Sequence, residues 1–450
     1  MKFDVLVRGG EVVTPQGLRR VDLGIVDGRF GSVSPSIEGS AYEVVDATGL
    51  VVFPGILDAH VHFNEPGRAD WEGLETGSRA LAAGGGTVFF DMPLNSTPPV
   101  LDVASFNIKR ALAERKSCLD FGLWGGLTPG NFDRLAELAD AGAMGLKAFL
   151  CASGIDDFEA VIDEATLRRG LRAAAAADLL VAVHAEDDEL ARRHTDGVKA
   201  SGRRDAAAWL ESRPVEVELR AIDRVLELTA ETGCRLHVVH VSSTQGLDAI
   251  DAAKRRGVDV TAETCPHYLL LSDADVSRVG AACKCAPPIR SEESRGELWR
   301  RTDTGNVDTI GSDHSPGPPT LKTGDDFFAI WGGISGCQHG FQLLLSEALK
   351  RGERGEVLCR FARLLAGNVA RRFRLADRKG SIEVGLDADF SLLRLGEPEI
   401  LSNADLLYRH RQGPYDGRPC GVRVMETRVR GVVAGASRGR FLRPYNPPHA

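Results

Sequence analysis

The sequence predicts an α/β fold, a (β/α)8 TIM-like barrel that carries a small β-sandwich domain formed by both chain ends. The middle of the 450-residue chain alternates strand-like and helix-like segments, and such alternation is typical of a parallel sheet. Eight strand-like segments can be counted there, and eight units favour a closed barrel. Both chain ends have the pattern of short β-strands. We therefore expect a barrel over residues 54–382 and a discontinuous sandwich over residues 1–53 and 383–450.

The two ends of the chain share a β-like pattern. Near the N-terminus, FDVLVRGGEVV and RRVDLGIVDGRFGSV alternate apolar and polar residues, and Asp27-Gly28 is a typical hairpin turn. Near the C-terminus the pattern returns in GSIEVGLDADFSLL and ETRVRGVVAG. Because chain termini are often close in space, we expect the two ends to fold together.

The predicted barrel strands and helices alternate between these ends. The strands are GILDAHVHF, GTVFFDMP, LDFGLWGGL, AMGLKAFL, LLVAVHAE, RLHVVHVSS, DVTAETC and VDTIGSDH. A helix is predicted in VEVELRAIDRVLELTAETG, because its apolar residues recur at helical spacing and Gly233 follows as a stop signal. A second is predicted in EVLCRFARLLAGNVARRF for the same reason.

Composition and charge exclude several classes of protein. Acidic residues outnumber basic ones by 63 to 55, so the formal charge of −8 provides no concentrated basic surface for nucleic acid. No apolar run is long enough to span a membrane, and the N-terminus lacks the apolar stretch of a signal peptide. The nine cysteines include no CxxC pair. We therefore expect free thiols in a reducing cytoplasm.

Metal-competent residues occur at five predicted strand ends. His60 and His62 are two residues apart on the first strand, so both imidazoles point to the same side and can share one metal ion. The other strand ends carry Lys147, His184, His240 and Asp313. Because the C-terminal ends of barrel strands converge on one face, these six residues predict a metal centre there. Glu186 is expected to orient His184 as a hydrogen-bond acceptor.

Lys147 is the unusual member of this set, because a protonated lysine repels a metal ion. Its free pKa is near 10.4, but burial in an apolar strand disfavours the charged form and lowers that pKa. A neutral amine can react with carbon dioxide to form a carbamate, an anion whose two oxygens can bridge two divalent ions. We therefore predict a carboxylated Lys147 rather than a structural lysine paired with an acid.

The ordered motifs DAHVHFNEPG, GLKAFL, VHAED, HVVHVSS, ETCPHYL, CAPPIR and GSDHSP resemble those of the cyclic amidohydrolases. That group includes the dihydroorotases, the hydantoinases or dihydropyrimidinases, and the allantoinases. The resemblance covers almost the whole chain. HFNEPGRADWEG, FFDMPLNSTPP, GSDHSPGPP and WGGISGCQ resemble the allantoinase branch in particular.

The resemblance implies a two-metal centre. His60, His62 and Asp313 would hold one ion, His184 and His240 would hold the other, and carboxylated Lys147 would bridge them. Zinc is the first expectation, and cobalt, manganese or iron suit similar donors. Asp313 would be the catalytic residue that transfers a proton to the leaving ring nitrogen.

The resemblance also implies a small cyclic ureide or amide as the substrate and a homotetramer as the assembly, with no nucleic-acid or membrane partner. Asn64 and Asn95 follow strand ends and are candidate substrate-binding residues. Dihydroorotases typically carry arginine where Asn64 stands, in an HxHxR pattern that binds a carboxylate, so Asn64 favours a neutral substrate. The segments PGPPTLKTGDD and WGGISG are predicted to cover the active face.

The alternatives within the class are a hydantoinase or dihydropyrimidinase and a dihydroorotase. A non-catalytic assembly protein of the same fold would have lost metal donors, whereas all six positions are occupied here. A nucleobase or adenosine deaminase shares the HxH pattern, but Lys147 and the GSDHSP context disfavour it.

Overall fold

A computed structural model describes residues 2–445. The predicted sandwich boundaries also take in Met1 and residues 446–450, which lie outside the described residues. Parallel strands form the middle of the chain, and antiparallel sheets hold strands from both ends.

The barrel contains the eight predicted strands in sequence order. They are Ile56–Val61, Gly86–Asp91, Asp120–Leu123 with its continuation Gly125–Gly126, Leu146–Phe149, Val181–His184, Leu236–Val238, Val260–Thr264 and Thr309–Ile310. Each pairs in parallel with the next along the chain. The predicted fold class is therefore confirmed.

The sheet is interrupted in one place and joined across its two ends. Trp124 breaks the third strand, so the first half pairs with the second strand and the Gly125–Gly126 half pairs with the fourth. A parallel bridge between Val61 and His314 joins the first strand to the segment that follows the eighth. This bridge brings the N-terminal and C-terminal parts of the barrel sequence to one site.

The helices lie mainly between the barrel strands. The α-helices are Leu74–Ala83, Val103–Lys116, Leu135–Ala141, Glu164–Ala176, Asp188–Ala200, Ala206–Glu211, Val215–Thr232, Thr244–Arg255, Pro266–Leu270, Asp273–Val279, Glu292–Asp303, Gly340–Ala348, Arg354–Ala362 and Asn368–Arg372. Short 3-10 turns span Phe132–Arg134, Gly280–Cys283, Pro319–Lys322 and Asn403–Asp405.

Both predicted helices are present. Val215–Thr232 ends where Gly233 adopts a left-handed conformation with φ of 68°, which only glycine adopts at little cost. The second is divided by a π-helical turn at Arg363–Gly367. It leads to Phe373, whose ring packs edge-on against Phe90 and Trp124 in the barrel interior.

Two sheets built around a shared apolar core form the sandwich. The four-stranded sheet is ordered Arg29–Ser34, Asp22–Val26, Lys2–Arg8 and Ser40–Asp46. The six-stranded sheet is ordered Val432–Val433, Pro419–Val429, Phe390–Ile400, Val51–Pro54, Glu11–Thr14 and Gly17–Arg20. Asp27 and Gly28 both have positive φ in the predicted hairpin turn, so that turn is confirmed.

A buried ion cluster ties the barrel to the segment before the sandwich strand Phe390–Ile400. Lys379 Nζ lies 2.7 Å from Asp120 on the third barrel strand, 2.9 Å from Asp387 and 2.7 Å from Asp389. Arg430 adds a second cation beside Asp120. The three carboxylates depend on these two cations, because a buried charge without a partner is very costly.

Two further sequence expectations concern the whole chain. All nine cysteines are free, and eight of them are buried. Among residues 2–445, no helix has the length and apolar character needed to cross a bilayer.

We expect Lys379→Met to lower the free energy of unfolding by about 3–5 kcal/mol, because it leaves buried carboxylates without their shared cation. The matched control is Lys350→Met, which removes an exposed ion pair with Glu347 and should cost about 1 kcal/mol or less. Chemical denaturation of both variants measures the difference. Equal losses in the two variants would contradict this account of the cluster.

Candidate active site

One cavity of about 300 Å³ lies at the C-terminal ends of the barrel strands. Its lining includes seven of the eight residues predicted from the sequence: His60, His62, Asn95, Lys147, His184, His240 and Asp313. The eighth, Asn64, is buried and does not line this cavity. Residues from six barrel strands or their following loops are thus within one small volume.

His60, His62 and Asp313 form a group that could hold a metal ion. Asp313 Oδ1 lies 3.2 Å from His60 Nε2 and 3.5 Å from His62 Nε2. The other ring nitrogen of His60, Nδ1, donates a hydrogen bond to Glu263 Oε1 at 2.8 Å. This bond places the His60 proton on Nδ1, so the lone pair of Nε2 faces Asp313, as a ligand to a cation requires.

His184 and His240 form a second group beside the first. His184 Nδ1 lies 3.1 Å from His240 Nε2. His184 Nε2 donates to Glu186 Oε2 at 2.8 Å, as the sequence led us to expect, and Arg213 Nη1 donates to the same oxygen at 2.7 Å. The bond to Glu186 leaves the lone pair of His184 Nδ1 directed at His240, which is an arrangement suited to a cation.

Burial disfavours the protonated form of three of these imidazoles. Burial lowers the pKa of His62 to about 4, lowers the pKa of His184, and lowers the pKa of His240 well below its usual value. Burial alone would raise the pKa of Asp313, but the neighbouring imidazoles, His60 first, hold that pKa well below its usual range. At neutral pH His62, His184 and His240 therefore offer neutral nitrogens near the ionised carboxylate of Asp313, the donor forms that metals bind.

Lys147 lies on the fourth barrel strand and reaches the same cavity. Burial lowers the pKa of its amine to about 8, although the carboxylates of Asp313 and Glu263 oppose this shift. A larger fraction of the amine is consequently unprotonated near neutral pH. The unprotonated amine is the form that the predicted carbamate requires.

Glu263 is a functional candidate that the sequence reasoning missed. It is buried on the seventh strand, where it accepts from His60 Nδ1 and lies 3.5 Å from His237 Nε2. Burial opposes its ionised form, but the two histidines outweigh burial and hold the pKa of its carboxyl at about 2. Its signal in the sequence was the one charged residue inside the strand VTAET.

Four of the predicted site residues have left-handed backbone conformations. The φ angles are 63° at Asn64, 64° at Asn95, 42° at His240 and 44° at Asp313. Asparagine, aspartate and histidine adopt this region more often than other side chains do, but at a cost of about 1–3 kcal/mol each. Such strain is typical of residues whose side chains are held in place for function.

The two candidate substrate-binding asparagines have different surroundings. Asn95 lines the cavity; its Nδ2 lies 3.4 Å from His62 Nδ1, and its Oδ1 has no hydrogen-bond partner among the described residues. Asn64 Nδ2 donates to the backbone oxygen of Pro316 at 3.5 Å. Asn64 therefore contacts the beginning of the segment 316–333, which we call the cover loop.

The cover loop closes one side of the cavity through Ile330, Trp331 and Gly332. Trp331 packs edge-on against Trp71, and its indole Nε1 donates to the backbone oxygen of Ser315. Of the two predicted covering segments, WGGISG lines the cavity with Trp331 and Gly332, whereas no residue of PGPPTLKTGDD does. Other lining residues that sequence reasoning missed are Cys151, Trp209, Arg213 and Lys284, which carry no local pattern pointing to the site.

Fold and donor set together define a barrel enzyme whose active face is suited to divalent cations. The family model for the amidohydrolase family matches residues 51–433. This chain belongs to the amidohydrolase family.

Individual relatives agree with this assignment. The chain is 50% identical to a protein named allantoinase from Deinococcus radiodurans, over 99% of both chains. It is 49% identical to an allantoinase of Rubrobacter xylanophilus, over 98% of both chains. Among solved structures it resembles an L-hydantoinase (dihydropyrimidinase) from Arthrobacter aurescens with a TM-score of 0.93 and 32% identity, over 98% of this chain and 97% of that one.

We expect Glu263→Ala to weaken the binding of a divalent metal by about 10- to 100-fold, because His60 loses the acceptor that fixes its ring. The matched control is Glu297→Ala, which removes an exposed carboxylate paired with Arg300. Titration of each metal-loaded variant with a competing chelator measures the affinity. Wild-type affinity in Glu263→Ala would contradict the role assigned to this carboxylate.

Proposed function

We propose that this chain is a cytoplasmic allantoinase, which hydrolyses the ring amide of allantoin to give allantoate. The observation that carries the proposal is the cavity that joins four histidines, Lys147 and Asp313 in a chain about half identical to proteins named allantoinase. The donor set supports amide hydrolysis, and the relatives support the substrate. A homotetramer is proposed on the resemblance alone.

The proposed cofactor is a pair of divalent ions, with zinc as the first choice. His60, His62 and Asp313 would hold one ion, and His184 and His240 the other, with a carbamate on Lys147 between them. The facing lone pairs in both groups support this assignment, because neutral nitrogens and a carboxylate so close together repel one another unless a cation or proton separates them. When bound, such ions lower the pKa of a water molecule and polarise a carbonyl group.

The residues of the chain supply the remaining chemistry. Water adds to the ring carbonyl carbon, and the carbon–nitrogen bond of the ring breaks. The Asp313 carboxylate, ionised at neutral pH, takes a proton from the attacking water and delivers it to the departing ring nitrogen. The product is an open-chain ureido acid, in which the former ring carbonyl has become a carboxylate.

The two asparagines are proposed to bind a neutral substrate. Asn95 Oδ1, which has no partner in the described part of the chain, can accept a hydrogen bond from a ring or ureido N–H. Asn64 would act through Pro316 and the cover loop. Neither residue offers the positive charge that would hold the carboxylate of dihydroorotate, so such a contact would have to come from another side chain of the cavity.

The hydantoinase alternative is favoured by one observation, the likeness to solved hydantoinases, which share 27–32% identity with this chain. Charge does not separate the two functions, because hydantoin substrates can also be neutral. Relatives named allantoinase have identities of 40–50% over nearly the full length, and this favours allantoin.

A panel of four substrates tests the proposal. We expect metal-loaded protein to hydrolyse allantoin with a higher kcat/KM than hydantoin or dihydrouracil, and to hydrolyse dihydroorotate barely at all. Prolonged chelation should abolish turnover, and added zinc should restore it. Faster hydrolysis of hydantoin would favour the hydantoinase alternative, whereas full activity after complete metal removal would exclude the proposed centre.

Substitution of Lys147 tests the carbamate. We expect Lys147→Ala to lose most activity and to regain part of it when short carboxylic acids and metal are added, because their oxygens replace the bridge. Lys147→Arg should stay inactive, since guanidinium remains cationic. The wild-type protein should also show the extra mass of one carbon dioxide under non-denaturing conditions. A fully active Lys147→Arg variant would refute the bridge.

A further inference from the structure

Lys284 is a buried lysine in the wall of the candidate active site that the proposed mechanism does not use. Burial lowers the pKa of its amine to about 7, so a ligand oxygen at its free position would favour the protonated form. Lys284 is 3% exposed and lines the cavity together with Trp209 and Ile330. No carboxylate oxygen of residues 2–445 lies within 4 Å of its Nζ, so it has no ion pair in the described part of the chain. Fully buried lysines are rare unless they are paired, so this position calls for a functional explanation.

The hydrogen bonds of Lys284 leave part of its ammonium unsatisfied. An ammonium group has three N–H donors. Lys284 Nζ donates to the backbone oxygen of Phe328 at 3.3 Å and to that of Ile330 in a shorter contact. The ring of Trp209 covers another side with its centroid 4.2 Å from Nζ, which stabilises the charge but supplies no lone pair. The ammonium therefore lacks a third oxygen acceptor among the described residues.

Lys322 provides an internal comparison. It is also a lysine whose ammonium is held by backbone oxygens of the cover loop. Its three donors are all used, by Ala281 at 3.1 Å, by Trp331 at 3.0 Å and by Gly333. Lys322 does not line the catalytic cavity. A lysine that only secures the cover loop thus has three carbonyl acceptors, whereas Lys284 has two and faces the cavity.

Arg213, which also lines the cavity, has its charge paired with a carboxylate. Its Nη1 donates to Glu186 Oε2 at 2.7 Å, so its charge already has a carboxylate partner. Arg213 Nε has no hydrogen-bond partner in the described part of the chain, but unlike Arg213, Lys284 has no carboxylate partner for its charge.

We propose that Lys284 binds the ureido carbonyl oxygen of the substrate, a subsite on the cover-loop side of the cavity that determines specificity. The ring amide must lie against the histidines and Asp313 to be hydrolysed, and Lys284 is held by the backbone of the cover loop. A substituent that projects from the ring toward this loop reaches the free donor. A urea carbonyl is a strong acceptor, and a hydrogen bond from a charged donor to it is stronger than a neutral one.

This inference rests on the proposed function, and the test separates the two. Allantoin and hydantoin share one ring, but hydantoin lacks the ureido group. The quantity measured is the ratio of kcat/KM for allantoin to kcat/KM for hydantoin, in wild-type protein and in Lys284→Met. We expect the ratio to fall by about tenfold or more, the effect of losing a hydrogen bond from a charged donor.

Lys322→Met is the matched control. It removes carbonyl bonds to the same loop without removing a donor from the cavity, so its selectivity ratio should equal that of the wild type even where both rates fall. Limited proteolysis of both variants reports how firmly the cover loop is held. A Lys284→Met protein that loses both activities in the same proportion, as Lys322→Met does, would reduce Lys284 to a support for the loop and overturn the proposal.

A second variant covers the case in which Lys284→Met does not fold. Lys284→Gln retains an amide donor for the carbonyls but no charge, and its selectivity ratio should also fall below that of the wild type; an unchanged ratio would overturn the proposal. Wild-type protein that hydrolyses hydantoin but not allantoin would refute the proposed function and this inference together. Wild-type turnover of allantoin with an unchanged ratio in the Lys284 variants would refute only the Lys284 subsite.

Discussion

The junction between the first and eighth barrel strands is the contact on which the candidate active site depends. The buried carboxylate of Asp58 accepts hydrogen bonds from the backbone N–H of His60 at 3.2 Å and from that of Ser312, 254 residues away, at 3.0 Å. The backbone N–H of His62 donates to the carbonyl oxygen of His314 at 2.8 Å. Because side chains alternate along a strand, a shift of one residue in this junction would turn the facing donors away from one another.

Buried carboxylates then fix the orientation of the histidines. Glu263 holds the ring of His60, and Glu186 holds the ring of His184, each at 2.8 Å. Both carboxylates stay ionised although they are buried, because each has two hydrogen-bonding or ion-pair partners. A buried carboxyl group without such partners would take up a proton. The donor atoms are therefore positioned by the polypeptide alone, which limits the reorganisation that cation binding would require.

Two lysines with different surroundings, Lys147 and Lys284, lie in the wall of the cavity. Lys147 is a lysine whose unprotonated form the site favours, and its chemistry belongs with the metal donors. Burial lowers the pKa of Lys284 to about 7, whereas two carbonyl oxygens and the ring of Trp209 favour its ammonium form. Burial thus lowers the pKa of both lysines, and the carbonyl oxygens around Lys284 are what favour its charged form. The relatives named allantoinase support a ureide substrate. The subsite proposed at Lys284 would orient its ureido group.

The sequence by itself determined the barrel strands, the Val215–Thr232 helix, the Asp27-Gly28 turn and the residue types at the strand ends. Those features follow from local periodicity and from chemistry that each residue carries alone. Tertiary structure alone decided which groups hold the candidate donors. Glu263 lies 203 residues from His60, and the acceptors of Lys284 are 44 and 46 residues from it. Such pairings depend on strand register, barrel closure and the path of the cover loop, which hydrophobic periodicity does not encode.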